Sequence, residues 1–229
     1  MIKNKTAQAL LTAMFMMSVI PVTHAKEPEF KSELFKKGTL VYSDDFDGEL
    51  NINYWGKPGK IAVIKDGVLT FSPKFKSKEE AMKKLKRDHH LGLGVVAHMK
   101  KIPEKFVLHM RYKFVTDAIV PGRPSFQIGH HMMNLSYLKG GGHRLGLSGG
   151  PGFNHPESGM KINEWVDLVI EYEKGRMLLS INGVKKIYEH ENVTMDNTKD
   201  KHGPRFSFKS HEGIDERIVF DYVRLWKVD

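Results

Sequence analysis

"NEWVDLVIEYEKGRMLLSINGVKKIY", residues 163–188, decides the fold of this chain. Within it, Trp165 to Tyr172, Met177 to Ile181 and Val184 to Tyr188 alternate apolar and polar side chains with a period of two, as half-buried strands do. Lys174-Gly175 and Asn182-Gly183 stand between these runs. Asn-Gly is a strong signal for a two-residue hairpin, because both of its residues tolerate the positive φ such turns need. The stretch therefore predicts three consecutive antiparallel strands.

Similar runs extend through the rest of the sequence: Thr39 to Tyr42, Ile61 to Ile64, Val68 to Phe71, Phe106 to Val115, Ser125 to Met133, His143 to Leu147, Arg205 to Lys209 and Arg217 to Trp226. Asp66-Gly67 marks a further tight turn. Many short strands without long intervening helices predict an all-β, antiparallel sandwich. "KEEAMKKLKR", Lys78 to Arg87, predicts one short exposed helix, with Glu79 and Glu80 four residues before Lys83 and Lys84. Residues 26–38 form a polar lead-in expected to pack on the sandwich edge, and Gly140 to Gly152 a long loop around one strand.

Residues 1–25 carry the pattern of a secretory signal peptide: Lys3 and Lys5, the apolar run Ala7 to Val22, then Thr23-His24-Ala25 before a cleavage point at Lys26. The alternative, a retained membrane anchor, has only a short apolar run to span with. Residues 26–229 suffice for one domain with one core. Loss of Lys3 and Lys5 lowers the formal charge from +9 to +7. With no cysteine, disulfides, thiolate catalysis and thiolate-bound zinc are excluded. Export without disulfides suits a bacterial periplasmic or secreted protein. Basicity favours acidic partners, among them uronate-rich or sulfated glycans. Nucleic acid is not expected, since neither a recognition helix nor an RNA-binding aromatic motif is present.

Four pieces, "DDFDGELNINYW" (Asp44 to Trp55), "IKDGVLTF" (Ile64 to Phe71), the opening quotation and "FDYVRLWKV" (Phe220 to Val228), resemble in order the strands of the concanavalin A-like lectin and glucanase superfamily. "SHEGIDERIVFDYVRLWKV" is similar to secreted bacterial laminarinase-like or keto-disaccharide hydrolase-like domains. The resemblance implies a jelly roll of two curved antiparallel sheets. It also implies a structural calcium ion held by Asp45, the Gly67 carbonyl and Asp221, hard oxygen ligands of the kind calcium takes. A fold of this kind does not by itself transmit a reaction.

Retaining hydrolases on this fold place carboxylates at alternate positions of one strand, close enough to act as nucleophile and acid/base. The comparable strand here is "SFQIGHHMMN", Ser125 to Asn134, and it has no carboxylate. The acidic series Glu164, Asp167, Glu171 and Glu173 lies on another strand and reads as the solvated outer face of a sheet. The usual two-carboxylate glycosidase mechanism is therefore not expected.

Alternation leaves Gln127, Gly129 and His131 on one face of the first strand, His109 and Arg111 on another, Arg144 on a third and Lys209 with His211 on a fourth. Were these faces to line one concavity, His89, His109, Arg111, Gln127, Arg144, Lys209 and His211 would contact substrate. The set resembles polysaccharide lyases on a related scaffold, which implies His131 or Tyr137 in proton transfer, although Gln127 and the histidines stand too far apart for the lyases' Gln-x-His pair. "GGGHRLGLSGG" lacks the Gly-Lys-Ser/Thr of a phosphate loop, and no serine elbow occurs. The leading expectation is carbohydrate recognition coupled to polysaccharide processing of unassigned mechanism, and three alternatives remain open: a non-catalytic lectin-like module, an acidic-polysaccharide lyase, and a structural or cell-surface protein without a sugar ligand.

Overall fold

The computed structural model describes residues 28–86, 94–196, 203–213 and 215–229. They form fourteen strands: β1 (Thr39–Asp44), β2 (Ala62–Lys65), β3 (Val68–Phe71), β4 (Gly94–Met99), β5 (Phe106–Val115), β6 (Ser125–Ile128), β7 (Met133–Tyr137), β8 (His143–Leu147), β9 (Gly152–His155), β10 (Val166–Glu173), β11 (Arg176–Ile181), β12 (Val184–Glu189), β13 (Phe206–Glu212) and β14 (Arg217–Lys227). The eight-stranded sheet runs β12-β11-β10-β5-β14-β3-β2, with β1 also on β14, and the six-stranded sheet runs β4-β13-β6-β7-β8-β9. Every ladder is antiparallel. Two stacked antiparallel sheets are the expected architecture.

The hairpin turns form for the reason the sequence implies. Asn182 and Gly183 have φ of 51° and 84°, and Asp66 and Gly67 have 51° and 72°, the left-handed pairs of primed turns. The predicted strand Ser125 to Met133 is instead two strands. Gly129 at φ 69° and His131 at φ 66° turn the chain after Ile128, and Met133 begins β7. Strands β4 and β9 have no counterpart among the predicted runs. The helix forms over Lys78–Leu85, capped by the Ser77 side chain on the Glu80 amide.

Between the sheets lies an aromatic layer. Phe126 stacks on Phe208 with centroids 4.4 Å apart, Phe208 meets Phe220 at 4.8 Å, and Phe106 meets Phe206 at 5.3 Å. Tyr112 packs against Phe208 and Phe126. All are fully buried, each contributing about 1.5–3 kcal/mol relative to exposure. No helix among the described residues is long and apolar enough to cross a membrane.

The lead-in does more than cover an edge. Phe30 packs edge-on to Trp226, and Phe35 joins Val107, Trp226 and Val228 in a small apolar cluster on the outside of the eight-stranded sheet. There Glu171, 3% exposed, accepts hydrogen bonds from Ser32 Oγ at 2.6 Å, Glu33 N at 2.9 Å and Leu34 N at 2.7 Å. It is a buried anchor, not the solvated side chain predicted from its strand. Glu171→Ala strands three donors and is expected to cost about 2–4 kcal/mol, a fall of roughly 5–10 °C in the thermal midpoint followed by circular dichroism. Glu173→Ala, which removes only a half-exposed pair with Lys105, is expected to cost under about 1 kcal/mol.

Candidate functional site

Because Phe126, Ile128, Phe206, Phe208, Met133 and Leu135 point inward, their neighbours on the same strands point out. Cross-strand register arranges those outward residues in two rows. One runs His98, Ser207, Gln127, Asn134, Gly146 and Gly152; the other runs Val96, Lys209, Ser125, Ser136, Arg144 and Asn154. Neither row contains a carboxylate. Of the residues predicted to bind substrate, Gln127, Lys209 and Arg144 are brought together here.

This face is rich in polar groups without protein partners. Ser125 Oγ, Gln127 Oε1 and Asn134 Oδ1 are buried and accept no hydrogen bond. Such atoms are uncommon, since a buried polar group left unpaired costs about 1–3 kcal/mol. The Arg144 guanidinium lies across Gly152, where a Cβ would stand 2.3 Å from Arg144 Nη2. Arg123, on the β5–β6 loop, donates from Nη1 to Ser210 O at 3.2 Å. Between this loop and the end of β7 opens a cleft of about 320 Å³ to which Arg144 and Ser136 contribute.

The face is electropositive, and its titratable groups respond to that. His98, whose Nδ1 is 2.9 Å from Ser207 Oγ, is pushed down to about 4 by burial, then by Arg205 and Lys209. Lys209 is half-buried and lowered, first by burial and then by Arg123 and Arg205.

The other predicted residues lie elsewhere. His109 and Arg111 are on β5, on the outer side of the eight-stranded sheet, so the whole core separates them from Gln127. There Asp167 accepts from Tyr222 OH at 2.7 Å and lies 3.2 Å from His109 Nε2. His109, the largest cause, and then Tyr222 hold its carboxyl below the usual range. Tyr137 faces the interior at 4% exposure, against Phe114, and burial raises its phenol well above the ordinary value; it is not on the polar face. His131 is exposed in the β6–β7 turn with its ring 4.2 Å from His130, outside both rows. His211 lies at the bulged end of β13, where its carbonyl crowds Gly94. His89 falls outside the described residues. Asn134 and Ser136 were missed because the predicted strand ended at Met133, where β7 begins.

The residues proposed for calcium do not fit the ion. Asp221 is taken up by Arg111 Nη1 at 2.8 Å and Asp45 by Arg224, so a guanidinium occupies the position of a cation at each carboxylate. Among the described residues no three His, Asp or Glu side chains group as metal ligands.

No model of a protein family matches the chain, and no curated protein matches it by sequence. Solved structures do. One comes from work on endo-acting O-glycanases that human gut microbiota use to initiate mucin breakdown, with 11% identity, TM-score 0.54 and coverage of 83% of this chain and 100% of that one. The chain has the concanavalin A-like jelly-roll fold. A β-1,3-1,4-glucanase (lichenase) from a mouse hindgut metagenome matches at 10% identity and TM-score 0.51, over 83% of this chain and 100% of that one. A laminarinase from Flavobacterium sp. UMI-01 matches at 14% and 0.51, over 82% and 100%. This jelly roll is thus shared with carbohydrate-active glycoside hydrolases.

Two measurements test the electrostatics. His98 and His143 are both pushed down to about 4, chiefly by burial, whereas in the unfolded chain they titrate near 6.5. The unfolded state takes up these protons first, so the stability the pair contributes is complete above about pH 6.5 and lost as pH falls toward 4. Denaturant unfolding at pH 5 is expected to show about 2 kcal/mol less stability per histidine than at pH 7, and His98→Asn with His143→Gln to flatten that dependence. Separately, EDTA is expected to leave the thermal midpoint unchanged; a rise of several degrees on adding calcium would reinstate the ion.

Proposed function

We propose that this is an exported bacterial protein that recognises an anionic polysaccharide on the outer face of its six-stranded sheet. The observation that carries the reading is the contiguous set Ser125 Oγ, Gln127 Oε1 and Asn134 Oδ1, buried acceptors without partners, flanked by Lys209 and Arg144 and free of carboxylates in both rows. Sugar hydroxyls are the donors such acceptors lack, and the cations suit uronate or sulfate groups. The descriptions of the similar structures, an O-glycanase, a lichenase and a laminarinase, support a glycan ligand. The apolar run that precedes Lys26, ending in small residues, supports export. Hydrolysis of the retaining or inverting kind needs two carboxyl groups on the face that holds the sugar, and the two rows supply none.

Affinity electrophoresis against neutral, uronate-containing and sulfated polysaccharides tests the reading. Retardation by charged polymers is expected, weakening as salt rises. Arg144→Ala and Asn134→Ala are each expected to weaken binding about tenfold, the effect of one charge-assisted or otherwise stranded hydrogen bond. Equal retardation by a neutral glucan, or full affinity in both variants, would remove the ligand from this face.

A further inference from the structure

A face that holds a uronate through cations and amides needs one more group to react with it: a base. The two residues nominated by resemblance are not placed for this role, since Tyr137 lies in the interior and His131 in a turn outside the rows. Arginine does not give up its proton in proteins. That leaves His98 and Lys209 in the two rows. The His98 ring is neutral but a weak base, held at about 4 by burial with its Nδ1 committed to Ser207. Proton abstraction becomes more effective as the base strengthens, provided it is deprotonated at the working pH.

Lys209 is the other basic group in the rows, and its position is the one that suits a base. It sits on β13, one strand in from the β4 edge of the six-stranded sheet, opposite Val96 on one side and Ser125 on the other. It is half-buried, and among the described residues no hydrogen bond or ion pair engages its ammonium. Among the described residues, Arg123 and Arg205 are charged neighbours of Lys209. Burial and those two positive charges favour the uncharged amine.

Resting on the reading above, we propose that the face is the site of a β-elimination on uronate-containing polysaccharide, with Lys209 Nζ as the base and Arg123 holding the uronate carboxylate. Lys209 removes the proton on C5, next to the carboxylate. The C5–H electron pair becomes the C4=C5 double bond as the bond from C4 to the glycosidic oxygen breaks. The departing oxygen takes up a proton from the new ammonium or from water, so no oxidant, reductant or metal enters the balance. Arg123, fixed to Ser210 O at 3.2 Å, meets the negative charge that builds on the carboxylate as C5 loses its proton. The chemistry also accounts for rows without carboxylates, because a negative side chain here would repel the uronate and favour the charged form of Lys209.

The test is to incubate the purified protein with polygalacturonate and with alginate, following the ultraviolet absorbance of the unsaturated uronate and, in parallel, retardation by the same polymers. The expected result is unsaturated ends from wild type on one of them. Lys209→Arg, which preserves the charge, is expected to retain affinity within about threefold and lose the product at least 100-fold, the scale of a general base. Partial return of product when ethylamine is added to Lys209→Ala would support the amine as base. Wild type that is retarded yet forms no unsaturated ends would overturn the elimination and leave the binding reading in place. Saturated reducing ends would overturn it in favour of hydrolysis, and unimpaired Lys209→Arg would remove Lys209 as base. Absence of any retardation would remove the binding reading itself. Circular dichroism of each variant, with Lys209→Gln as a second neutral replacement, separates loss of the base from loss of the fold.

Discussion

The stack of Phe126 on Phe208 within the sandwich, centroids 4.4 Å apart, dictates the direction of every other residue on β6 and β13. Side chains on a strand alternate, so with those rings committed inward, Ser125, Gln127, Ser207 and Lys209 must point out. A slip of one residue in either strand would exchange its two sets, exposing phenylalanine and, on β13, burying a lysine. The aromatic layer that supplies stability therefore also supplies the register of the polar face. Tyr112 and Phe220, reaching the same rings from the opposite sheet, make this a constraint on both layers.

The two outer faces obey different rules. On the eight-stranded sheet the charges are matched: Asp167 with His109 and Tyr222, Asp221 with Arg111, Asp45 with Arg224, and Glu171 with the lead-in. On the six-stranded sheet they are not. Among the described residues, Lys209 and Arg144 there pair with no carboxylate, and three buried acceptors lack donors. Local mismatches tolerated by a well-packed core tend to mark the surfaces a protein uses. That contrast, rather than any one residue, separates the face assigned to function from the one assigned to stability.

Turns and alternation made much of this architecture legible in advance. Asn182-Gly183 and Asp66-Gly67 adopt the primed geometry their residue types favour, and the ten-residue run Phe106–Val115 forms as one strand. The short glycine-flanked strands were harder to see. Strand β9, Gly152–His155, has four residues and little hydrophobic contrast, and the Gly129–Met132 turn lies inside what looks like one alternating run.

By itself, the sequence determined the class of fold, the tight turns and the face on which each residue of a strand lies relative to its own neighbours, because those depend on contacts a few residues apart. It also carried the most informative absence, a Ser125–Asn134 stretch without a carboxylate. Only the tertiary structure decided which faces meet. His109 and Gln127 both alternate with phenylalanines or leucines, yet they emerge on opposite sides of the molecule. Periodicity states that a side chain points away from the core; it carries no record of which sheet the strand joins, since that is set by pairing between segments distant in the chain. For the same reason Lys209 reads as one lysine among many until β4 and β6 close around it.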